Sequence, residues 1–283
     1  MRNVRLAICL VVVCVMAAVN IASADTIQGI INMDFVNIGN AGNSADTGGT
    51  PGCGAVSSNY RIGKYEVTAT QWQTINTAAG IGDSGTWSGN QPVAAISWYD
   101  VAQFCNYLTS GNKYSGAYKF DISGNFQSID RASSISTYGT TYVIPTEDEW
   151  YKAAYFKPNG SGYSLYANGT STAPIAGVNS NYNMAIGAPW DIITNGTQEQ
   201  NGTFDMMGNV VEWNETLLYG SGRGVRGGSY DWANSYLASS SRGSGSPEVE
   251  HYSLGFRVAS VPEPCSLVLM SLGGLALLRR KGK

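Results

Sequence analysis

The sequence predicts an α+β fold, rich in loops, built from a few helices and short strands. Three observations carry that expectation. Three stretches open on helix-capping residues and continue with the spacing of a buried helix face. Short strand-like pieces stand around them: "NYRIGKYEVT", "TTYVIP", "RGVRGGSY" and "SLGFRVAS". Thirty-five glycines, with many Asn, Ser and Thr, fill the segments between. Strands and helices do not alternate regularly, which argues against a β-α-β layout, and no repeat of fixed period is apparent.

The chain begins with Arg2 and Arg5, continues with an apolar run and reaches Ala22-Ser23-Ala24 ahead of Asp25. A basic start, an apolar middle and a small-x-small triplet predict a secretory signal peptide over residues 1–24. A membrane anchor is the alternative reading, for which the run is short. Residues 25–260 then form one fairly large domain.

Along that domain the helices announce themselves in order. "EVTATQWQTINTAAG" pairs Thr68 with Gln71 at capping-box spacing, buries Trp72 and Ile75, and stops at Gly80. "ISWYDVAQFCNYLTSG" has Ser97 with Asp100, and Val101, Phe104, Cys105 and Leu108 on one face. "IPTEDEWYKAAYFKPNG" has Thr146 with Glu149, then Trp150, Ala153 and Ala154, ending near Pro158-Asn159-Gly160. The acids Glu147, Asp148 and Glu149 lie in that helix's first turn, where they complement its dipole rather than act as paired catalytic acids. "GNAGNSADTGGTPG" and "AIGAPWDIITNGTQEQNGT" read as loops.

Residues 261–283 are a distinct tail. Val261-Pro262-Glu263-Pro264 precedes the apolar run Cys265–Leu278, and Arg279, Arg280 and Lys281 follow. The run is shorter than the ~20 residues of a stable spanning helix, and its basic end predicts that the body lies outside the membrane. Removing the leader and the apolar tail leaves 11 basic against 20 acidic residues, a formal charge of −9. No basic cluster remains, so nucleic acid is not an expected partner.

Of five cysteines, only Cys53 and Cys105 fall within the domain. Cys105 sits on the core stripe and is expected to pack as a small hydrophobe. Cys53, in "GGTPGCGAV", is not placed by periodicity, and an exported protein leaves pairing of the two thiols open. His251, the one histidine, lies in a polar loop and is expected at the surface.

In "FDMMGNVVEW", Asp205 and Glu212 flank a turn at Gly208-Asn209. Two carboxylates with backbone carbonyls suit Ca²⁺, which takes 6–8 oxygens; an ordinary turn with solvated acids is the alternative.

The order of six fragments carries a resemblance over roughly residues 35–260: "YRIGKYEVTATQW", "PVAAISWYDVAQFCNYL", "YVIPTEDEWYKAAYF", "GTFDMMGNVVEWNE", "RGVRGGSYDWANSY" and "SLGFRVAS". Together they resemble the formylglycine-generating enzyme, or sulfatase-modifying factor, family. The resemblance implies a variant of the C-type-lectin-like fold. It also implies an oxidation of sulfatase cysteines that needs two thiolates on copper, since soft sulfur suits Cu(I). The positions matching those thiols are Trp232 and Leu237. Copper is therefore not expected, and Ser229 and Tyr230 mark a vestigial groove with no histidine near in sequence to activate the serine. The iron-dependent relatives need several histidines, which this chain lacks.

The same resemblance implies structural calcium at Asp205, Gly208, Val210 and Glu212. A second site would start at Asn181 and Tyr182, although its downstream loop is shortened here. The tail resembles the PEP-CTERM sorting signal of Gram-negative bacteria. That implies an exosortase-type processing enzyme as partner, transient membrane association through the tail, and delivery to the cell envelope or outer surface. The expected role is a non-catalytic binding or structural module, with extracellular polysaccharide or surface proteins as partners. A formylglycine-generating oxidoreductase acting on sulfatase cysteines is the alternative.

Overall fold

The computed structural model describes residues 23–192 and 194–261. The leader up to residue 22, and the apolar and basic parts of the tail, lie outside the described residues. Among the described residues no helix is long and apolar enough to cross a membrane.

Three of the helices start where the caps place them, and two of these also stop as expected. Helix α1 (Ala69–Ala79) has a complete Thr68–Gln71 capping box and ends on Gly80 in the left-handed conformation, φ 64°. Helix α2 (Trp98–Ser110) is capped by Ser97 and buries Val101, Phe104, Cys105 and Leu108, as their spacing requires. The short helix α3 (Arg131–Tyr138) has Asp130 as N-cap; its few apolar residues gave no periodic signal. Helix α4 (Glu147–Tyr155) carries the second full capping box, Thr146 with Glu149, and ends before the expected Pro-Asn-Gly stop.

The strands form two main sheets and a hairpin. Strands β1 (Ser23–Ile27), β2 (Ile31–Ile38), β3 (Tyr60–Gly63), β6 (Thr141–Val143) and β11 (Ala259–Val261) make a five-stranded sheet in the order β1-β2-β3-β11-β6. All its pairings are antiparallel. Ser23 and Ala24, ahead of the domain boundary expected at residue 25, pair with Phe35 and Asp34. Strands β7 (Val211–Leu218), β8 (Gly222–Arg226), β9 (Gly243–Gly245) and β10 (Leu254–Gly255) form a second sheet, in which only β10–β7 is parallel. Strands β4 (Tyr118–Phe120) and β5 (Phe126–Ile129) pair with each other. A predominantly antiparallel layout with helices outside the sheets is the α+β architecture expected.

The core is aromatic. Trp72 of α1 stacks on Phe104 of α2 at 5.4 Å, and Phe256 meets both edge-on. Trp98 packs against Tyr118 at 5.4 Å, with the Arg223 guanidinium 3.9 Å over its ring. Cys105 is fully buried, and burial pushes its thiol well up. Among the described residues Cys53 and Cys105 are both free thiols.

Candidate functional site

Two neighbouring blocks carry the residues singled out by sequence. The first is the turn between Asp205 and β7. Asp205, Gly208 and Asn209 all adopt left-handed backbone, φ 58°, 84° and 59°. At Gly208 a Cβ would lie 2.2 Å from the Asn181 carbonyl, so only glycine fits. The turn is pinned by Asn209. Its Nδ2 donates to Glu66 Oε2 at 2.6 Å, its Oδ1 accepts from the Trp190 N–H at 2.9 Å, and its own N–H donates to the Asn181 carbonyl.

Neither acid of this block is solvated. Glu212 is fully buried, and Arg257 grips both its oxygens, with Nε at 3.0 and 2.7 Å and Nη2 at 2.6 Å. Trp150 Nε1 adds a fourth bond at 2.7 Å. Arg257 spends its remaining donors on the carbonyls of Gly63 and Phe204. Asp205 accepts from Trp190 Nε1 at 3.0 Å, while its Oδ2 is buried without a partner. Burial, with Glu212 nearby, raises its pKa to about 7.

Of the residues expected to hold calcium, the two acids are placed differently. The orphaned Asp205 oxygen suits a cation, but Glu212 already faces one, the Arg257 guanidinium. As arranged, Asp205, Gly208, Val210 and Glu212 do not fit calcium as a set. Asn181 also has a buried Oδ1 without a partner, while its Nδ2 donates to the Ala188 carbonyl.

Glu66, two residues before α1's N-cap, went unnoticed in the sequence. It is buried, accepts from the Val210 N–H at 3.0 Å, and is held well above the usual carboxylate range by burial and by Asp205 and Glu212. Only the fold brings it within reach of this turn.

The second block follows β8. Gly227 and Gly228 take φ 98° and 71°, turning the chain beneath the 208–209 turn, where the Gly208 N–H donates to the Gly227 carbonyl. Ser229 is fully buried, and its hydroxyl donates to Asp231 at 2.6 Å. Tyr230 is buried with its ring edge-on to Trp87 at 6.0 Å, and its backbone bonds Asn209 and Met184. Ser229 and Tyr230 are not among the residues lining the neighbouring groove, which takes in Gly228 and Trp232 on either side of them. The Ser229 hydroxyl is already engaged by Asp231 inside the fold.

The opening lies a few residues on. A groove of about 160 Å³ is lined by Trp232, Tyr236, Arg226, Arg242, Gly228 and Ser244, among others. Trp232 and Tyr236 face each other at 4.9 Å across a 3₁₀ turn, Asn234–Leu237. Leu237 points the other way, into the core, where its carbonyl accepts from the Tyr155 hydroxyl. The two positions matching the family's thiols have thus diverged: one is a groove wall, the other core packing.

Behind the groove stands an ion triad. Glu147 receives Arg226 Nε and Nη2 at 2.8 and 2.6 Å, and Arg242 through Nε at 2.8 Å and through Nη2. Burial pushes the Glu147 carboxyl upward, but the two guanidiniums outweigh it and hold it below its usual value. So Glu147 does more than complement a helix dipole. Asp148 accepts from the Gly54 N–H, and Glu149 both caps α4 and pairs with Arg131 at 2.8 Å. Cys53 lies behind Arg226, 3.8 Å from its Nη2, where burial and then Glu147 push the thiol up. A protonated, buried thiol is a poor nucleophile and a poor metal ligand.

His251 is exposed, as expected, with Nδ1 3.0 Å from the Ser253 hydroxyl. Among the described residues, one group of three metal-ligand-type side chains converges within 4.8 Å: Asp83, Asp100 and Glu250. It contains neither cysteine nor histidine, and no sequence spacing announced it.

Comparison with known proteins agrees with this architecture. A family model described as "Sulfatase-modifying factor enzyme 1-like domain" matches residues 30–261. The chaperone protein LppX of Paenibacillus barcinonensis is 28% identical over 176 residues, which is 55% of this chain and 61% of that protein. Treponema denticola variable protein 1 superposes with a TM-score of 0.63 at 25% identity, over 86% of this chain and 99% of its own. CarF (TM-score 0.59, 22% identity, 82% of this chain and 99% of its own) and PvdO from Pseudomonas aeruginosa (0.58, 15%, 85% and 98%) share the fold.

Proposed function

The chain belongs to the sulfatase-modifying factor enzyme 1-like domain family, and from that premise we propose that it is a non-catalytic binding module of the cell envelope. The carrying observation is the fate of the two thiol positions. Trp232 is a groove wall paired with Tyr236, and Leu237 is fully buried core. Neither side chain holds copper or passes electrons from a sulfur.

The groove offers what a bound sugar requires. The Trp232–Tyr236 pair supplies an apolar shelf for a ring face. Arg242, with its side chain 32% exposed, bonds Glu147 through Nε and Nη2, and among the described residues Nη1 is outside those bonds. Glu147 and Asp148 between them offset the charges of Arg226 and Arg242, so it is the partly exposed Arg242 guanidinium, as a donor, that favours a sugar bearing a carboxylate. An acidic extracellular polysaccharide is therefore the proposed ligand. LppX is a chaperone protein by name, which supports a binding use of this domain, and the matched region spans about three-fifths of that protein.

The leader and the Pro-Glu-Pro tail support export to the outer surface of a Gram-negative-type bacterium, with an exosortase-type enzyme processing the tail. The alternative, a formylglycine-generating oxidoreductase, requires thiols where Trp232 and Leu237 stand.

Two measurements test the reading. Incubated with a sulfatase-motif peptide, copper and oxygen, the protein is expected to yield no aldehyde by mass spectrometry above a metal-only control; product would establish the oxidoreductase. Hexagalacturonate is expected to bind the wild type and to bind Trp232→Ala at least tenfold more weakly. Equal binding by the two would remove the groove from the proposal.

A further inference from the structure

A second groove, of about 560 Å³, opens between α1 and residues 84–89, within the size range of pockets that hold small ligands. One wall is the outer face of α1. Thr70, Gln73, Thr74 and Thr77 recur at i, i+3, i+4 and i+7, opposite the buried Trp72, Ile75 and Asn76. The other wall includes Ser84 and Trp87. No residue lining this groove is ionisable.

That absence of charge is unusual for such a surface. The solvent face of an amphipathic helix ordinarily carries Lys, Arg, Glu or Asp. None of the 11 residues of α1 is charged. The face is instead a row of hydroxyls and one amide, held in order by its own bonds. The Gln73 amide donates to Thr77 Oγ1 at 3.2 Å, Thr74 Oγ1 donates to the Thr70 carbonyl, and Thr70 Oγ1 donates to the Gly89 carbonyl, which ties the two walls together. Each hydroxyl oxygen retains acceptor capacity toward an incoming O–H.

Trp87 is held in place at a conformational cost. Its φ of 69° lies in the left-handed region that bulky side chains avoid. Two contacts fix it there: Nε1 donates to the Tyr252 carbonyl at 3.0 Å, and the ring meets Tyr230 edge-on at 6.0 Å.

From these observations we infer that the α1–Trp87 groove is a binding site for a neutral polysaccharide chain. Sugars present an apolar C–H face and a rim of hydroxyls, and the groove presents one aromatic side chain and a rim of hydroxyl and amide groups. A protein partner would call for a central cluster of apolar or Arg anchors, and this lining has a single aromatic residue. An anionic chain finds no cation in it. The site is separate from the Trp232–Arg242 groove and does not depend on the reading of that groove.

Isothermal titration of the full chain with maltohexaose, cellohexaose, laminarihexaose and mannohexaose tests the inference. At least one of these is expected to bind. The doubly substituted Gln73→Ala/Thr77→Ala protein is expected to bind it at least tenfold more weakly. Alanine at both exposed helical positions preserves the helix, so lost binding there is not lost folding. Trp87→Phe keeps an aromatic ring and is expected to fall between the two. Trp232→Ala is expected to leave the neutral sugar's affinity unchanged, while Gln73→Ala/Thr77→Ala leaves hexagalacturonate binding unchanged, so the two grooves fail or stand separately. Binding of none of the four hexasaccharides, or equal binding by wild type and the double variant, overturns the inference.

Discussion

The turn at residues 205–212 and the groove at residues 226–244 touch each other, yet they are built on opposite principles. In the turn almost every polar group has a partner within the fold: Asn209 uses its amide and backbone, and Glu212 has four bonds from Arg257 and Trp150. In the groove the side chains facing outward are two aromatic rings and a partly exposed guanidinium. A buried ionic knot does not tolerate the loss of one partner, since the other is left charged and dry. A groove wall tolerates replacement, because solvent takes over what a side chain relinquishes. Trp232, on the groove wall, falls under the tolerant rule, whereas Leu237, fully buried, belongs with the core.

The largest effect expected from this contrast lies at the knot. Arg257→Met leaves Glu212 buried without its cation and is expected to cost about 3–5 kcal/mol of folding stability, read as the shift in a urea denaturation midpoint. A cost under about 1 kcal/mol, the usual range of surface ion pairs, would erase the distinction between the two regions.

A smaller effect sharpens the comparison through pH. Glu199 accepts from Thr203 Oγ1 and the Met206 N–H beside the knot, and burial raises its pKa to about 8. An unfolded glutamate titrates near ~4.3. The native state therefore holds this proton more tightly than the unfolded state. Its contribution to stability is full below about pH 4 and is lost as pH rises through about 8. The melting temperature is expected to fall between pH 5 and 8, and Glu199→Gln, which keeps the shape without the titration, is expected to flatten that fall. Identical pH profiles would place the titration elsewhere.

The smallest expected effect is that of calcium. With Glu212 engaged by Arg257, adding calcium or a chelator is expected to leave the melting temperature of the wild type unchanged. Ligand that binds only the native state would raise it by mass action. A calcium-dependent rise that Asp205→Asn abolishes would mean that an ion enters at the orphaned Asp205 oxygen and shares Glu212 with Arg257.

Much of the fold was legible because its signals are local. Thr68, Ser97 and Thr146 cap helices by bonds that reach three residues along the chain, so spacing alone located α1, α2 and α4. The apolar stripe that buried Cys105 is likewise a property of one helix. Strands β1, β2, β4, β5, β7 and β9 were not among the strand-like pieces read from the sequence. Paired strands take their stability from partners far away in sequence, as when β10 lies beside β7.

The site divides along the same line. The sequence by itself determined that Trp232 and Leu237 carry no sulfur, that Gly208-Asn209 stands between Asp205 and Glu212, and that Thr70, Gln73, Thr74 and Thr77 share one helix face. Only the tertiary structure decided that Leu237 turns inward while Trp232 walls a groove, that Arg257 from near the chain's end takes up Glu212, and that Glu66 lies beneath the Val210 N–H. It also brought Trp87 opposite the uncharged face of α1. The physical reason is range. Caps, periodicity and positive-φ glycines act within a turn or two of backbone, whereas the partner of a buried charge is set by which distant segments the fold packs together.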